Sequence, residues 1–473
     1  MKLMGGVGRG RLNRVALALD LRGMRKFMAS RELAMALMAG GIMLFYAAPS
    51  PVWPLAGLLL YAVPAYSRME LGLPFVMLSA PFYLVPKQFG TLQFSLTEAL
   101  LVTCAGLWGL RLLLDRSKRQ LLPLGYAPAR LDLAILVFVV AGALSIMVAE
   151  RPREALRELR TVVLEPVALY YLILVAAKSK RDVFRLADAL IVAGVLVSLI
   201  GLYQYAFTDQ VITAEGVRRM RALYGSPNHL GLFLGRVLPL AVCLTGGAFV
   251  KGSRVVYYGA GSALMVISLA LTFSLGAWLA VLLAMLFVAV VVGRRRLLWT
   301  LTGLAGLAAG GMALVPWLQI ERISSHFGSE GTTALRLYIW QASLNMLRDH
   351  PLLGVGLDNF LNQYPRYMLP AAWREPYLSH PHNLVLDFWL RTGTLGLLAA
   401  LWLLGWLFVA GTRLYRRLPD PLERALILGL LAGMVDFVVH GSIDNSYFLV
   451  DLAIIFWASL AAIRILETER ELA

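Results

Sequence analysis

The chain has little from which to build a soluble catalytic centre. Of 473 residues only 28 are acidic, six are histidine and two are cysteine. Both cysteines, Cys104 and Cys243, fall inside apolar runs, which argues against a disulfide framework and a thiolate metal site. There is no Walker loop, no dinucleotide fingerprint and no Asp-x-Asp pair of the sort that holds a nucleotide-sugar through a metal. Nothing therefore points to a nucleotide as the source of energy. Fixed-period repeats, low-complexity tracts and long flexible linkers are also lacking.

What is present is apolar. Hydrophobic residues make up 59% of the chain and charged residues 15%, and a soluble protein of this length could not cover that much apolar surface. Apolar runs fall at 33–49, 51–66, 71–86, 95–114, 131–149, 161–177 and 184–206, then at 227–250, 255–273, 275–292, 297–316, 383–410, 423–441 and 445–464. Each approaches the length needed to cross a hydrocarbon core of ~30 Å. Barrel strands would alternate apolar and polar residues, and these runs do not. The expected fold is all-α: a polytopic integral membrane bundle of about 12–14 transmembrane helices with a large, partly helical outer loop.

The net charge of +16 is read through the positive-inside rule, not as a sign of nucleic acid. Threading the runs from a cytoplasmic N-terminus places most of the 44 Lys and Arg on the cytoplasmic side, with both termini there. The divisions are a basic N-terminal segment (1–32), an N-terminal bundle (33–316), an outer loop (317–382), C-terminal helices (383–465) and a tail (466–473). Residues 1–31 show no short apolar core followed by a small-residue cleavage site, so they read as a retained basic segment. Arg151, Arg153, Arg157 and Arg160, with Arg218, Arg219 and Arg221, run against the insertion bias because they fall outside. Either they bind an anionic group there or they meet lipid phosphates.

The outer loop is the longest break between apolar runs. Within it, Thr332 to Leu347 places Leu335, Ile339, Ala342 and Met346 at helical spacing, which predicts an amphipathic helix on the bundle ended by His350-Pro351. Gly354, Gly356 and Asn359 predict a turn. The loop leads into Ser379-His380-Pro381-His382-Asn383 at the mouth of an apolar run. An imidazole there, with a usual pKa near 6.5, can serve as a general base; the plainer readings are an interfacial hydrogen bond or a helix cap. A metal reading of His380 and His382 needs further donors, and no clear partner shows.

Two other constellations matter. Arg221, Gly225, Ser226-Pro227-Asn228 and His229 precede the run at 227–250, and an arginine beside a helix N-terminus suits a phosphate; ordinary capping explains Gly225 and Pro227 equally. Arg236, Asp387, Arg391, Asp436 and His440 lie within apolar runs, where charge is costly and often functional. Asp387 with Arg391, and Asp436 with His440, are each four apart and can pair on one helix. Asp444 and Asn445 sit at the next outer turn and could face the site.

His382-Asn383, nine residues, Gly393, two residues and Gly396 resemble the pattern of the O-antigen ligase family. Pro351-Leu-Leu-Gly354-Val-Gly356-Leu-Asp358-Asn359-Phe360 resembles the stretch upstream of its histidine, and Arg221 with Gly225 and Pro227-Asn228 resembles its arginine-bearing outer loop. The similarity covers roughly 200–460. It implies a bacterial inner-membrane glycosyltransferase, inverting and metal-independent, with no cofactor. Its donor would be a glycan on undecaprenyl pyrophosphate and its acceptor a hydroxyl of lipid A-core or another glycan, used on the periplasmic side. Membrane lipids are implied as partners, and a monomer is expected. Carried over residue by residue, His382 and Arg221 would be catalytic; Arg336, Arg218, Arg219, His380, Asn383 and Asn228 would bind substrate. The polymerase and protein O-oligosaccharyltransferase branches share these motifs. The chain departs from the family at Ser274-Leu275-Gly276-Ala277, where an arginine is usual: Arg336, Arg218 or Arg219 takes over, the donor is handled differently, or activity is impaired. The rival from another class is a transporter or flippase of a lipid-linked anion. It predicts paired broken helices and an inverted repeat, and neither is evident.

Overall fold

The structure is a computed structural model that describes residues 30–47, 52–89, 92–114, 129–214, 217–251, 254–293, 332–373 and 375–472. The expectations for the N-terminal basic segment before residue 30, the apolar run at 297–316, and the loop at 317–331 lie outside the described residues. Among the described residues the fold is helical, with two short hairpins as its sheet.

The helices follow the apolar runs. In chain order they are α1 (Arg31–Ala47), α2 (Val52–Ser67), α3 (Met69–Ser79), α4 (Leu96–Leu114), α5 (Ala129–Ser145), α6 (Pro152–Ala176) and α7 (Lys180–Phe207). There follow α8 (Pro227–Lys251), α9 (Val255–Leu271), α10 (Leu275–Val292), α11 (Thr332–Asp349), α12 (Phe360–Tyr367), α13 (Leu384–Arg417), α14 (Pro421–Gly441) and α15 (Val450–Leu472). Seven of these are long and apolar enough, by length and composition, to cross a membrane. The chain is a multi-pass helical membrane protein.

Two boundaries move from the sequence reading. The stretch at 150–160 is helix: Pro152 stands in the first turn of α6, where its missing N–H leaves no hydrogen bond unmade. The last helix starts at Val450 rather than 445, because residues 442–449 form a turn held by side chains. Asn445 Oδ1 accepts from Phe448 N (3.0 Å) and Ser446 Oγ donates to Phe437 O (2.9 Å).

Helix α14 is buried along most of its length and crosses α8 closely. Glycines permit the approach: a Cβ at Gly433 would lie 2.9 Å from the Arg236 carbonyl oxygen, and one at Gly429 would lie 2.7 Å from the Leu240 Cα. α10 packs on both. At the crossing, Arg236 Nη1 meets Asp436 Oδ2 at 2.8 Å with both side chains wholly buried. Asp436 therefore does not pair with His440 as its spacing suggested; a neighbouring helix supplies a permanent cation instead. Arg236 also donates to the Ser446 carbonyl (3.1 Å), which ties the 442–449 turn to α8.

The segment between α10 and α13 forms, in its described part, a small satellite core on the bundle. Ile339, Ala342 and Met346 of α11, as their spacing predicted, bury with Val355, Phe360, Tyr364 and Leu390. Helix α13 is broken at Gly393 (φ +68°), and the turn segment 352–356 fills the break. Val355 N and Gly356 N donate to the Leu390 carbonyl (2.7 and 3.1 Å), and Thr394 N donates to the Leu352 carbonyl (2.9 Å). A side chain at Gly393 would run into the Leu352 carbonyl and one at Gly354 into that of Leu390. Both positions also take left-handed backbone angles, which only glycine adopts freely.

Candidate active site

The site forms where the segment before α13 returns to the bundle. Asn383 caps α13: its Oδ1 accepts from Val385 N and Leu386 N, each at 3.1 Å, as expected of an N-cap asparagine. Its Nδ2 donates to the Ser442 carbonyl (3.3 Å), which holds the cap against the 442–449 turn. Just before the cap, His382 takes a left-handed backbone angle (φ +51°). That turn brings His382 Nδ1 to 3.0 Å from Asp444 Oδ1. His380 Nε2 lies 3.4 Å from the same oxygen, with the two imidazole centroids 4.2 Å apart. Asp444 Oδ1 also accepts from Asn445 N at 2.8 Å.

The electrostatics follow from this sharing. Burial opposes ionisation of Asp444, but the hydrogen bond to His382 and the close approach of the His380 imidazole outweigh it, so its carboxyl is held well below the usual range. Burial holds the His380 imidazole below its usual value, although Asp444 pulls the other way. An ionised carboxylate can only accept, so His382 Nδ1 carries the proton and donates it to Asp444. The other ring nitrogen, Nε2, then presents a lone pair, and the His382 side chain is 20% exposed. This is the chemical requirement for a general base.

The neck of the loop is fixed from below. Arg391 Nη2 donates to the Ser379 carbonyl (2.8 Å), and its Nε pairs with Asp387 Oδ1 (2.6 Å), the pairing that the spacing predicted. Its Nη1 meets Glu158 at the start of α6, a partner the sequence did not reveal.

The arginines divide. Arg218 and Arg219 are adjacent in a strand (Val217–Arg219) that pairs with Ile212–Ala214, and successive strand residues point to opposite faces. Arg219 reaches inward: Nε donates to the Thr272 carbonyl (2.9 Å) and Nη2 to Asn228 Oδ1 (3.0 Å), bridging the α9–α10 turn and the start of α8. Arg218 is exposed and donates to the Tyr205 and Thr208 carbonyls (3.3 and 3.1 Å), so it does not join the cluster. Arg221 is half-buried and donates to the Tyr224 carbonyl (3.1 Å), while the Tyr224 hydroxyl donates to buried Asp451 (2.7 Å). Leu275, where the arginine is missing, opens α10 and is 38% exposed.

Two further histidines, which the sequence placed in separate constellations, join the cluster. His229 lies close enough to Asp444, His380 and His382 for their charges to interact. His440 interacts in the same way with Asp444, His229 and Arg336. Arg336, on α11, thus stands over the cluster, and among the described residues no carboxylate pairs with it. The sequence shows His229 only beside Arg221 and His440 only four residues from Asp436; the packing of α8, α10 and α14 brings the two together.

His380, His382 and Asp444 also offer three donor atoms within 4.8 Å of one another. Asp444 is the partner that a metal reading of the His-x-His pair lacked in the sequence. Two imidazoles and a carboxylate are a competent donor set for a divalent ion.

These features describe a helical membrane protein with a histidine–carboxylate centre at one end of its bundle. Residues 260–401 match the family described as O-antigen ligase, and this match supports membership of the O-antigen ligase superfamily. The matched span holds Leu275, Arg336, the 351–360 stretch, His382 and the Gly393 break, whereas Arg221 and Asp444 lie outside it. The match supports a membrane enzyme of the ligase or polymerase kind, and the family implies lipid-linked glycan substrates. No curated protein matches the chain.

Proposed function

We propose that the protein is an inverting glycosyltransferase of the bacterial inner membrane. It moves a glycan from undecaprenyl pyrophosphate to an acceptor hydroxyl on the periplasmic side. The observation that carries this reading is the His382–Asp444 pair: a buried carboxylate fixes the proton on Nδ1 and leaves Nε2 free at the edge of the bundle.

In the proposed step, Nε2 of His382 takes the proton of the acceptor hydroxyl as its oxygen attacks the anomeric carbon. The bond from that carbon to the pyrophosphate oxygen breaks, the pair of electrons leaves with the pyrophosphate, and the anomeric centre inverts. Asp444 stabilises the imidazolium that forms. Such a base typically contributes ~10²–10⁴-fold. Arg221 and Arg336 stabilise charge on the leaving group. Arg219, held beside the start of α10 at Thr272, supports the cation-poor turn at Leu275. His380 and Asn383 hold the loop, and Asn228 holds Arg219. The mechanism assigns His380, His382 and Asp444 to proton transfer rather than to a metal.

The test is transfer by purified protein supplied with a lipid-pyrophosphate glycan and an acceptor. Full activity in His382→Ala would remove the base assignment, and loss of transfer on adding chelator would remove metal independence. Movement of labelled lipid across liposomes with no glycan transferred would point instead to a transporter.

A further inference from the structure

The end of the bundle opposite His382 carries two adjoining clefts. Helix α13 starts beside His382 and, after 34 residues, ends in Arg416 and Arg417, roughly 50 Å away by helical rise. One cleft, of about 540 Å³, is lined by Phe408, Val409, Thr412, Arg413, Arg416 and Arg417. The other, of about 300 Å³, is lined by Arg413, Leu414, Arg417, Glu467 and Arg470. Arg413 and Arg417 belong to both.

The charge here is lopsided. Among the described residues that line the clefts, four are arginines and one is a carboxylate, Glu467, which lies 3.7 Å from Arg413 with the arginine half exposed. The outward face of α13 leading to them is apolar: Leu395, Leu398, Leu401 and Val409 are each at least 50% exposed. A molecule fitted to this surface needs an apolar chain along α13 and negative charge at its end. Guanidinium groups suit phosphate because their planar fork matches its oxygens, and basic pockets at the ends of transmembrane helices suit phosphorylated lipid headgroups.

We propose that the two clefts hold the headgroup of a two-phosphate anionic phospholipid of the cardiolipin class. One phosphate sits in each cleft, Arg413 and Arg417 lie between them, and acyl chains run along the exposed face of α13. A free phosphate would use the arginines but leave the apolar face bare. The site is separate from the His382 centre and does not depend on how that centre is read.

The experiment uses the full chain purified in neutral detergent. Cardiolipin, phosphatidylglycerol, phosphatidylcholine and inorganic phosphate are titrated separately, with retained lipid read by native mass spectrometry and stability by the thermal midpoint. Cardiolipin should bind and raise the midpoint, phosphatidylglycerol less so, and phosphatidylcholine not at all. Removing both shared arginines (Arg413→Ser with Arg417→Ser) should weaken cardiolipin roughly 25-fold, about fivefold for each charge. Arg181→Ser, an exposed arginine at the start of α7 at the same end of the bundle, should leave it unchanged. If the serine pair does not yield a monodisperse protein, Arg413→Lys with Arg417→Lys keeps the charge and should still weaken binding by losing the fork. Wild-type affinity in both pairs, or equal binding of phosphatidylcholine, would overturn the proposal. So would full displacement of cardiolipin by inorganic phosphate, which would mark a soluble-phosphate site.

Discussion

Two buried carboxylates lie eight residues apart and meet different fates. Asp436, inside α14, faces Arg236, a permanent cation, and neither side chain reaches the surface. Asp444, in the turn that follows, faces two imidazoles that can gain and lose protons, one of them partly open. Arginine stays charged at any accessible pH, so the first pair can only hold helices together. Histidine titrates near neutrality, so the second can move a proton. The residue type of the partner, more than the burial of the acid, separates structure from chemistry here.

Substitutions can break that contrast. The largest effect is expected from His382→Ala, which should lower transfer by ~10²–10⁴-fold with little change in thermal midpoint. Arg236→Ala should do the reverse. It strands Asp436 in the interior, at a cost of ~3–5 kcal/mol, seen as a lowered unfolding midpoint in detergent; Arg236→Met with Asp436→Leu should recover much of it. Next comes Asp444→Asn, which removes a hydrogen bond to a charged group worth about 1.5–3 kcal/mol, or roughly 10- to 160-fold in transfer rate.

A pH series sharpens the same comparison. His380 is held below its unfolded value of about 6.5, so between the two values the unfolded chain binds more protons. Its contribution to stability is therefore complete above about 6.5 and is lost as pH falls through the folded value. Asp444 is also held low, so its contribution is lost only at stronger acid, as pH falls through its folded value. The midpoint of the wild-type protein should drop on acidification below neutrality, and His380→Asn should flatten the first part of that drop. The smallest effect belongs to Arg218→Ala, which should shift stability by no more than about 0.5 kcal/mol and reduce transfer less than Arg219→Ala.

The helices were legible because an apolar run long enough to span a bilayer has few other solutions, and α11 was legible because three core residues kept a helical period. The break in α13 was not. Gly393 stands in a run that reads as continuous helix, and its reason is a turn segment more than 35 residues upstream. The same limit explains the wrong partner for Asp436: residues four apart are the only neighbours a sequence displays, whereas Arg236 comes from another helix across small residues. In the site, His382 and Asn383 stood out by spacing, and Asp444 was marked only as a nearby turn. His229 and His440 stood out separately, one beside Arg221 and one as the supposed partner of Asp436, and nothing in the sequence joined them to His382. Neighbouring arginines 218 and 219 looked equivalent until the strand turned them to opposite faces.

The filled break at Gly393 has a consequence for motion. The amides of 355, 356 and 394 bond across the junction between loop and helix, so neither partner can lose its hydrogen bonds alone. Hydrogen exchange at 352–356 and at 390–394 should therefore proceed with one common rate, as a single opening unit. A substrate entering beside His382 would then meet a segment that rides on α13, and any opening of the site would have to be a movement of that helix.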